Sequence, residues 1–156
     1  MAVKYKPDQY HSVTPYLIVN GAAKAIEFYK KAFGAAEILR MPMPDGKVAH
    51  AELKIGDSTI MLADGFPNLG AVDPLTLGST TVSLMIYVED VDAQFAQAIA
   101  AGAKVFKPLT NQFYGDRSGC LTDPFGHIWT LSTHIEDVSA EEMHQRMEAA
   151  MKQRPG

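Results

Sequence analysis

Cysteine is nearly missing from the chain. Cys120 is the single one among 156 residues, so no intrachain disulfide can form and the fold must rest on packing. Long apolar runs are missing too: none approaches the roughly 20 residues that span a bilayer. The opening Ala2-Val-Lys-Tyr-Lys6 leads into no apolar stretch of the signal-peptide kind, so the chain reads as cytoplasmic. There is no basic excess, since 14 Lys and Arg stand against 18 Asp and Glu, a net charge of −4. That balance argues against nucleic acid or an anionic membrane as the partner. Charge blocks and low-complexity tails are lacking, which weakens the reading of a pure interaction module. A chain of this length buries roughly two thirds of the surface its unfolded form exposes. One core-bearing domain without a structural metal is therefore expected.

What is present is a weak internal repeat. Thr14-Pro-Tyr-Leu-Ile-Val19 and Ser83-Leu-Met-Ile-Tyr-Val88 are apolar strands offset by 69 residues, and the same offset lays Ile60-Met61-Leu62 over Trp129-Thr130-Leu131. Each half continues into an amphipathic helix. The first carries Ala22, Ala25, Ile26, Tyr29 and Phe33 at three- and four-residue steps, with Gly34 as its stop. The second carries Val91, Phe95, Ala98 and Ile99 between an Asp90 N-cap and Gly102. Strands are expected over 36–43, 48–55 and 59–63, then over 104–109, 118–122 and 128–132, separated by Gly, Pro and Asp turns. The stretch 64–80 has no sustained period and reads as a crossover loop. Ser139-Ala-Glu-Glu142 is a capping-box pattern opening a last helix with Met143, Met147, Ala150 and Met151 on one face. That stripe is expected to cover the domain or a partner subunit.

The expected fold class is thus α+β. Tandem βαβββ modules over about 12–64 and 81–134 make one domain, 12–134, and 135–156 is a C-terminal helical extension. This plan resembles the vicinal oxygen chelate superfamily, which includes glyoxalase I, bleomycin-resistance proteins and extradiol dioxygenases, and the resemblance implies curved mixed sheets around a cavity. Ala25-Ile-Glu-Phe-Tyr-Lys-Lys-Ala-Phe-Gly34 is similar to its first-helix signature, and Asp123-Pro-Phe-Gly-His127 to the turn before its last strand. Thr14-Pro-Tyr-Leu17, His50-Ala-Glu-Leu-Lys-Ile-Gly-Asp57 and Gln112-Phe-Tyr-Gly-Asp-Arg117 further resemble the PhnB-like, glyoxalase-like branch. The resemblance implies a homodimer, and in its metalloenzymes four ligands from the first and last strand of each half. Carried over, those places are Thr14, Met61, Ser83 and Thr130. Hydroxyls and a thioether are poor donors for zinc, nickel or iron, so no cofactor is expected and a divalent metal is disfavoured.

Strand alternation gives the cavity wall independently. If Leu17 and Val19 pack under the first helix, Thr14, Tyr16 and Ile18 face the cavity. If Leu84, Ile86 and Val88 pack under the second, Ser83, Met85 and Tyr87 face it. Thr59, Met61, Ala63, Ile128, Thr130 and Ser132 complete a wall that is apolar with scattered hydroxyls, which suits a small organic ligand. In His50-Ala-Glu52 the two polar residues share a face, as an acid/base pair, displaced metal ligands or a solvated surface with Lys54. Tyr114, Asp116 and Arg117 flank Gly115 on a loop, where Arg117 either clamps an anion or forms a structural pair with Asp116. His127 reads as a turn hydrogen-bonder and Cys120 as a core thiol. Four functions remain open at this point. They are a metal-dependent glyoxalase- or dioxygenase-type enzyme, a metal-free binder such as an antibiotic-sequestering protein, a metal-independent enzyme using His50, Glu52 and Arg117, and an interaction module.

Overall fold

The computed structural model describes residues 2–155. The first module consists of β1 (Tyr16–Val19), α1 (Ala22–Phe33), β2 (Ala36–Pro42), β3 (Val48–Ile55) and β4 (Ser58–Asp64), in a sheet ordered β1-β4-β3-β2. A linker with a 3-10 turn (Pro67–Leu69) and a short α2 (Pro74–Leu77) leads to the second module. There β5 (Ser83–Tyr87), α3 (Val91–Ala101), β6 (Lys104–Asn111), β7 (Asp116–Thr122) and β8 (Ile128–His134) repeat the order as β5-β8-β7-β6. The first strand of each module pairs in parallel with the last, Tyr16 opposite Met61 and Met85 opposite Thr130. The 69-residue offset therefore reappears as register. α4 (Ala140–Lys152) closes the chain.

The apolar stripes account for the packing. Ala22, Ala25, Ile26, Tyr29 and Phe33 of α1 and Val91, Phe95 and Ala98 of α3 are all buried, whereas Ile99 is exposed. The two helices pack on each other, and one core runs through both modules. Phe33 and Tyr29 meet Trp129 of β8 at ring-centroid distances of 4.8 and 5.3 Å. Two buried carboxylates tie the chain across long distances. Asp64 accepts hydrogen bonds from the amides of Gly21, Ala22 and Val48, capping an α1 that has no side-chain cap of its own. Asp123 accepts from the Tyr29 hydroxyl, the Trp129 indole and the amides of Phe125 and His127.

Two expectations need correction. The linker is not featureless, because Asp73 caps Thr76 N–H and Pro74 occupies the first helical position of α2. Cys120 is not a core thiol: Leu121 takes the core side, and alternation turns Cys120 to the open face, where its Sγ lies 3.1 Å from Thr130 Oγ1. Along the methionine stripe of α4, Met143 is half-buried while Met147 and Met151 are exposed. Among the described residues, no helix is long and apolar enough to cross a membrane.

Candidate functional site

Each sheet has one face on the helices and one open face. Leu17 and Val19 are buried, and Leu84, Ile86 and Val88 pack against the core. Their neighbours Tyr16, Met85 and Tyr87 are 47, 50 and 62% exposed. The residues expected to line one cavity are distributed over three concavities. Thr14 and Met61 line a cleft of about 400 Å³ with Tyr10, His11 and Glu52, under the N-terminal segment. Ser83 and Thr130 line one of about 330 Å³ with Phe106, Lys107 and Cys120. Met85 and Tyr87 border a crevice of about 560 Å³ at the seam between the modules, with Val13, Pro15 and the β3–β4 turn.

A cluster of titratable groups adjoins the first cleft, which Glu52 and Tyr10 line. β3 alternates as its sequence dictates, so Ala51, Leu53 and Ile55 are buried while His50 and Glu52 face out together. His50 Nε2 lies 3.1 Å from Glu52 Oε1, and His50 Nδ1 lies 2.8 Å from the Tyr16 hydroxyl. The His50 and Glu52 side chains keep only 24 and 15% of their exposure. Lys54, on the same face, joins none of the ion pairs among the described residues. The N-terminal segment closes over this group: Gln9 accepts from Thr59 Oγ1, and His11 Nε2 meets the Asp57 carbonyl. It delivers Tyr10, 7% exposed, whose hydroxyl faces Glu52 but completes no hydrogen bond of full geometry. Burial, then the Glu52 carboxylate, pushes that hydroxyl up to about 12. The Tyr10 hydroxyl foremost, and then His50, hold the Glu52 carboxyl below the usual carboxylate range against the opposing effect of burial. Tyr10 went unnoticed in the sequence because it precedes β1 in a segment without periodicity.

The second module holds a different polar group. Burial alone would raise the Asp116 carboxyl, but hydrogen bonds from His134, Tyr87 and Ser132 outweigh it and keep the group ionised. His134 lies between Asp116 and Asp137, each at 2.8 Å, and these carboxylates, Asp137 first, raise its pKa. This cluster anchors the approach to α4, as do Arg146 bonds to Glu136, Glu142 and the Phe113 carbonyl. Tyr114 is half-buried beside it, edge-on to Phe113. Arg117 does not meet Asp116. One residue on, it turns to the helix side and forms a two-point pair with Asp92 of α3, and a third bond to Asn111. His127 bonds from its ring to the Ile18 carbonyl at 2.8 Å, joining the modules.

The four places where metal ligands were implied hold Thr14, Met61, Ser83 and Thr130. Thr14 Oγ1 donates to the His11 carbonyl, and Thr130 is engaged with Cys120. Neutral hydroxyls and a thioether, divided between two clefts, do not fit a zinc, nickel or iron centre. Among the described residues, no group of three or more His, Cys, Asp or Glu is placed to hold a metal ion.

Comparison with known proteins agrees with this architecture. Uncharacterized protein Mb0911c of Mycobacterium bovis is 43% identical over 150 residues, covering 94% of this chain and 96% of its own. Among solved structures, TioX from Micromonospora sp. ML1 superposes with a TM-score of 0.62 at 26% identity, covering 83% of this chain and all of that one. A Bacillus cereus protein described as PhnB, a putative 3-demethylubiquinone-9 3-methyltransferase, gives 0.63 at 22% identity over 79% of this chain and 99% of its own, a likeness of fold. The model of the Glyoxalase/Bleomycin resistance protein/Dioxygenase superfamily matches residues 9–131. With two βαβββ modules in register and a family match over most of its length, the chain belongs to that superfamily.

Proposed function

We propose that the protein binds a small organic molecule on the open face of the first module, between the N-terminal segment and Thr14, Tyr16, His50, Glu52 and Met61. One observation carries the reading. The Tyr10 hydroxyl is buried without a full hydrogen-bond partner beside an ionised Glu52 at the edge of a cleft of about 400 Å³. Unmet polar groups under a concave, partly apolar wall are what a ligand satisfies. The donor set at the implied metal positions favours binding without a transition metal.

The reading includes a cytoplasmic homodimer. Tyr16, Met85, Tyr87 and Phe106 leave large apolar surfaces exposed on both sheets, and Met147 and Met151 do so on α4. A second copy set against these faces would complete the concavities around Ser83, Met85, Tyr87 and Thr130.

A thermal-shift screen of small thiol conjugates, catechols and glycopeptides, with and without divalent ions, tests the binding. A ligand at a hundredfold its Kd adds about 2.7 kcal/mol to apparent stability. The shifts should be independent of divalent ions and should vanish in Met61→Trp, which fills the cleft. Shifts that require an added ion, or survive Met61→Trp, overturn the proposal. Sedimentation velocity tests the dimer.

A further inference from the structure

We infer that Tyr16, His50 and Glu52 form a proton relay ending at the Tyr16 hydroxyl, and that the ligand is a small molecule with a weakly acidic O–H or N–H, held as its anion. This inference rests on the binding proposed above, with the ligand reaching from the cleft past Met61 to its strand partner Tyr16, which borders the cleft without lining it. It begins from the direction of the hydrogen bonds. Glu52 is ionised, so it only accepts, and the imidazole nitrogen facing it at 3.1 Å must carry the hydrogen. In the neutral ring Nδ1 is then bare. The Tyr16 hydroxyl, 2.8 Å from Nδ1, donates to it. Both directions follow from one fixed charge: Tyr16 O–H to Nδ1, Nε2–H to Glu52.

A tyrosine used up in this way has no proton left for a ligand, and its oxygen can only accept. Tyr16 is 47% exposed while His50 and Glu52 are mostly covered, so the ligand-facing end of the line is an acceptor backed by a base. The ligand that matches it is a donor. As the ligand X–H passes its proton to the Tyr16 oxygen, the original Tyr16 proton passes to His50 Nδ1. The products are X⁻ against a neutral Tyr16 hydroxyl and an imidazolium bound between Tyr16 and Glu52. No atom or electron is left over. Tyr16 meets the ligand, and His50 and Glu52 are positioning residues.

The surroundings leave the relay without a rival. Across the strands, His50 faces Met41 and Glu52 faces Leu39 and Met61, all apolar. The other titratable groups toward this face are Tyr5, Lys6, Tyr10, His11 and Lys54; the His11 ring is engaged with the Asp57 carbonyl, and Tyr5 is a fully exposed phenol. Tyr10 stays protonated far above neutral pH. The Lys6 ammonium is spent on the Tyr10 carbonyl, and Lys54 is exposed. Neither amine lies between Tyr16 and Glu52.

A nitrophenol, whose anion absorbs visible light, and the matching nitroanisole, which has no proton to give, serve as probes. The bound nitrophenol is expected to ionise about one pH unit lower than in water, a tenfold preference for its anion. Tyr16→Phe and His50→Gln should each abolish that shift, and the ether should bind about tenfold more weakly. Nitrophenol bound as the neutral acid, or a shift that survives Tyr16→Phe, overturns the relay while the cleft stands. Binding untouched by Met61→Trp overturns both, and no binding at all overturns the ligand class. The ring-nitrogen NMR shifts of His50 in the unmutated protein give an independent result: Nε2–H is expected, and Nδ1–H refutes the relay.

Discussion

Removing one oxygen from Tyr29 tests how the two modules are joined. Tyr29 is fully buried in α1, and its hydroxyl donates at 2.6 Å to Oδ2 of Asp123, which lies in the β7–β8 turn of the other module. The same carboxylate takes the Trp129 indole N–H and the amides of Phe125 and His127, each at 2.9 Å. Tyr29→Phe keeps the ring and its stack on Phe33, 5.9 Å between centroids, so almost no cavity forms. What is lost is a hydrogen bond to a buried charge, worth about 1.5–3 kcal/mol. A loss of about 2 kcal/mol corresponds to a fall in Tm of about 4–8 °C for a chain of this size.

Chemical unfolding with linear extrapolation measures the change, and an unaltered m-value shows that the same surface still unfolds as one unit. Tyr10→Phe is the internal comparison. Its hydroxyl is buried without a full hydrogen bond, so the same chemical change there is expected to cost less than in Tyr29→Phe. Equal losses in the two variants would refute the reasoning, because geometry would then have failed to separate a made bond from an unmade one. A loss below about 0.5 kcal/mol in Tyr29→Phe would show that Asp123 does not depend on the other module.

Gly119 lies where β7 passes α3, and a Cβ there would come 2.7 Å from Phe95 Cε2 and 3.1 Å from backbone atoms of Leu109 and Lys107. Gly119→Ala is expected to cost about 1–3 kcal/mol in the same unfolding assay, and a neutral outcome would mean that β6 yields freely. His134 titrates above the ordinary histidine value because Asp137, then Asp116, favour its charged form. Its stabilisation is therefore complete below the unfolded value and is lost as pH rises through the raised folded value. Amide exchange at Ile135 and Glu136, both bonded to the Gly115 carbonyl, should accelerate across that window beyond the intrinsic pH effect. His134→Gln should remove the extra step, and an unchanged profile would refute it.

The fold was legible because its signals are periodic. The stripe of α1, the alternation of Ala51, Leu53 and Ile55, and the repeat of two apolar strands are each statements about which face is buried. A single core satisfies them all. What escaped were features set by distance in space. Asp64 caps α1 from 42 residues away, and Asp123 reaches Tyr29 across 94; neither separation leaves a local pattern. Cys120 has core-like chemistry and a buried neighbour in Leu121, but strand alternation puts the two on opposite faces. For the same reason Arg117 could not join Asp116. Their adjacency in sequence is what separates them in a strand, and Asp92 on α3 takes the guanidinium instead.

The repeat delivers equal backbones but not equal chemistry. Because Tyr16 opposes Met61 as Met85 opposes Thr130, Met85 stands in the second module where Tyr16 stands in the first. Glu52 opposes Met61 as Cys120 opposes Thr130, so Cys120 corresponds to Glu52, and Ser118, two residues earlier, to His50. Tyr, His and Glu are thus answered by Met, Ser and Cys at the same places on the same pleat. None of those three supplies a carboxylate that could fix a tautomer, or an imidazole that could hold a proton. The second module spends His134 and the buried Asp116 on fastening the chain before α4.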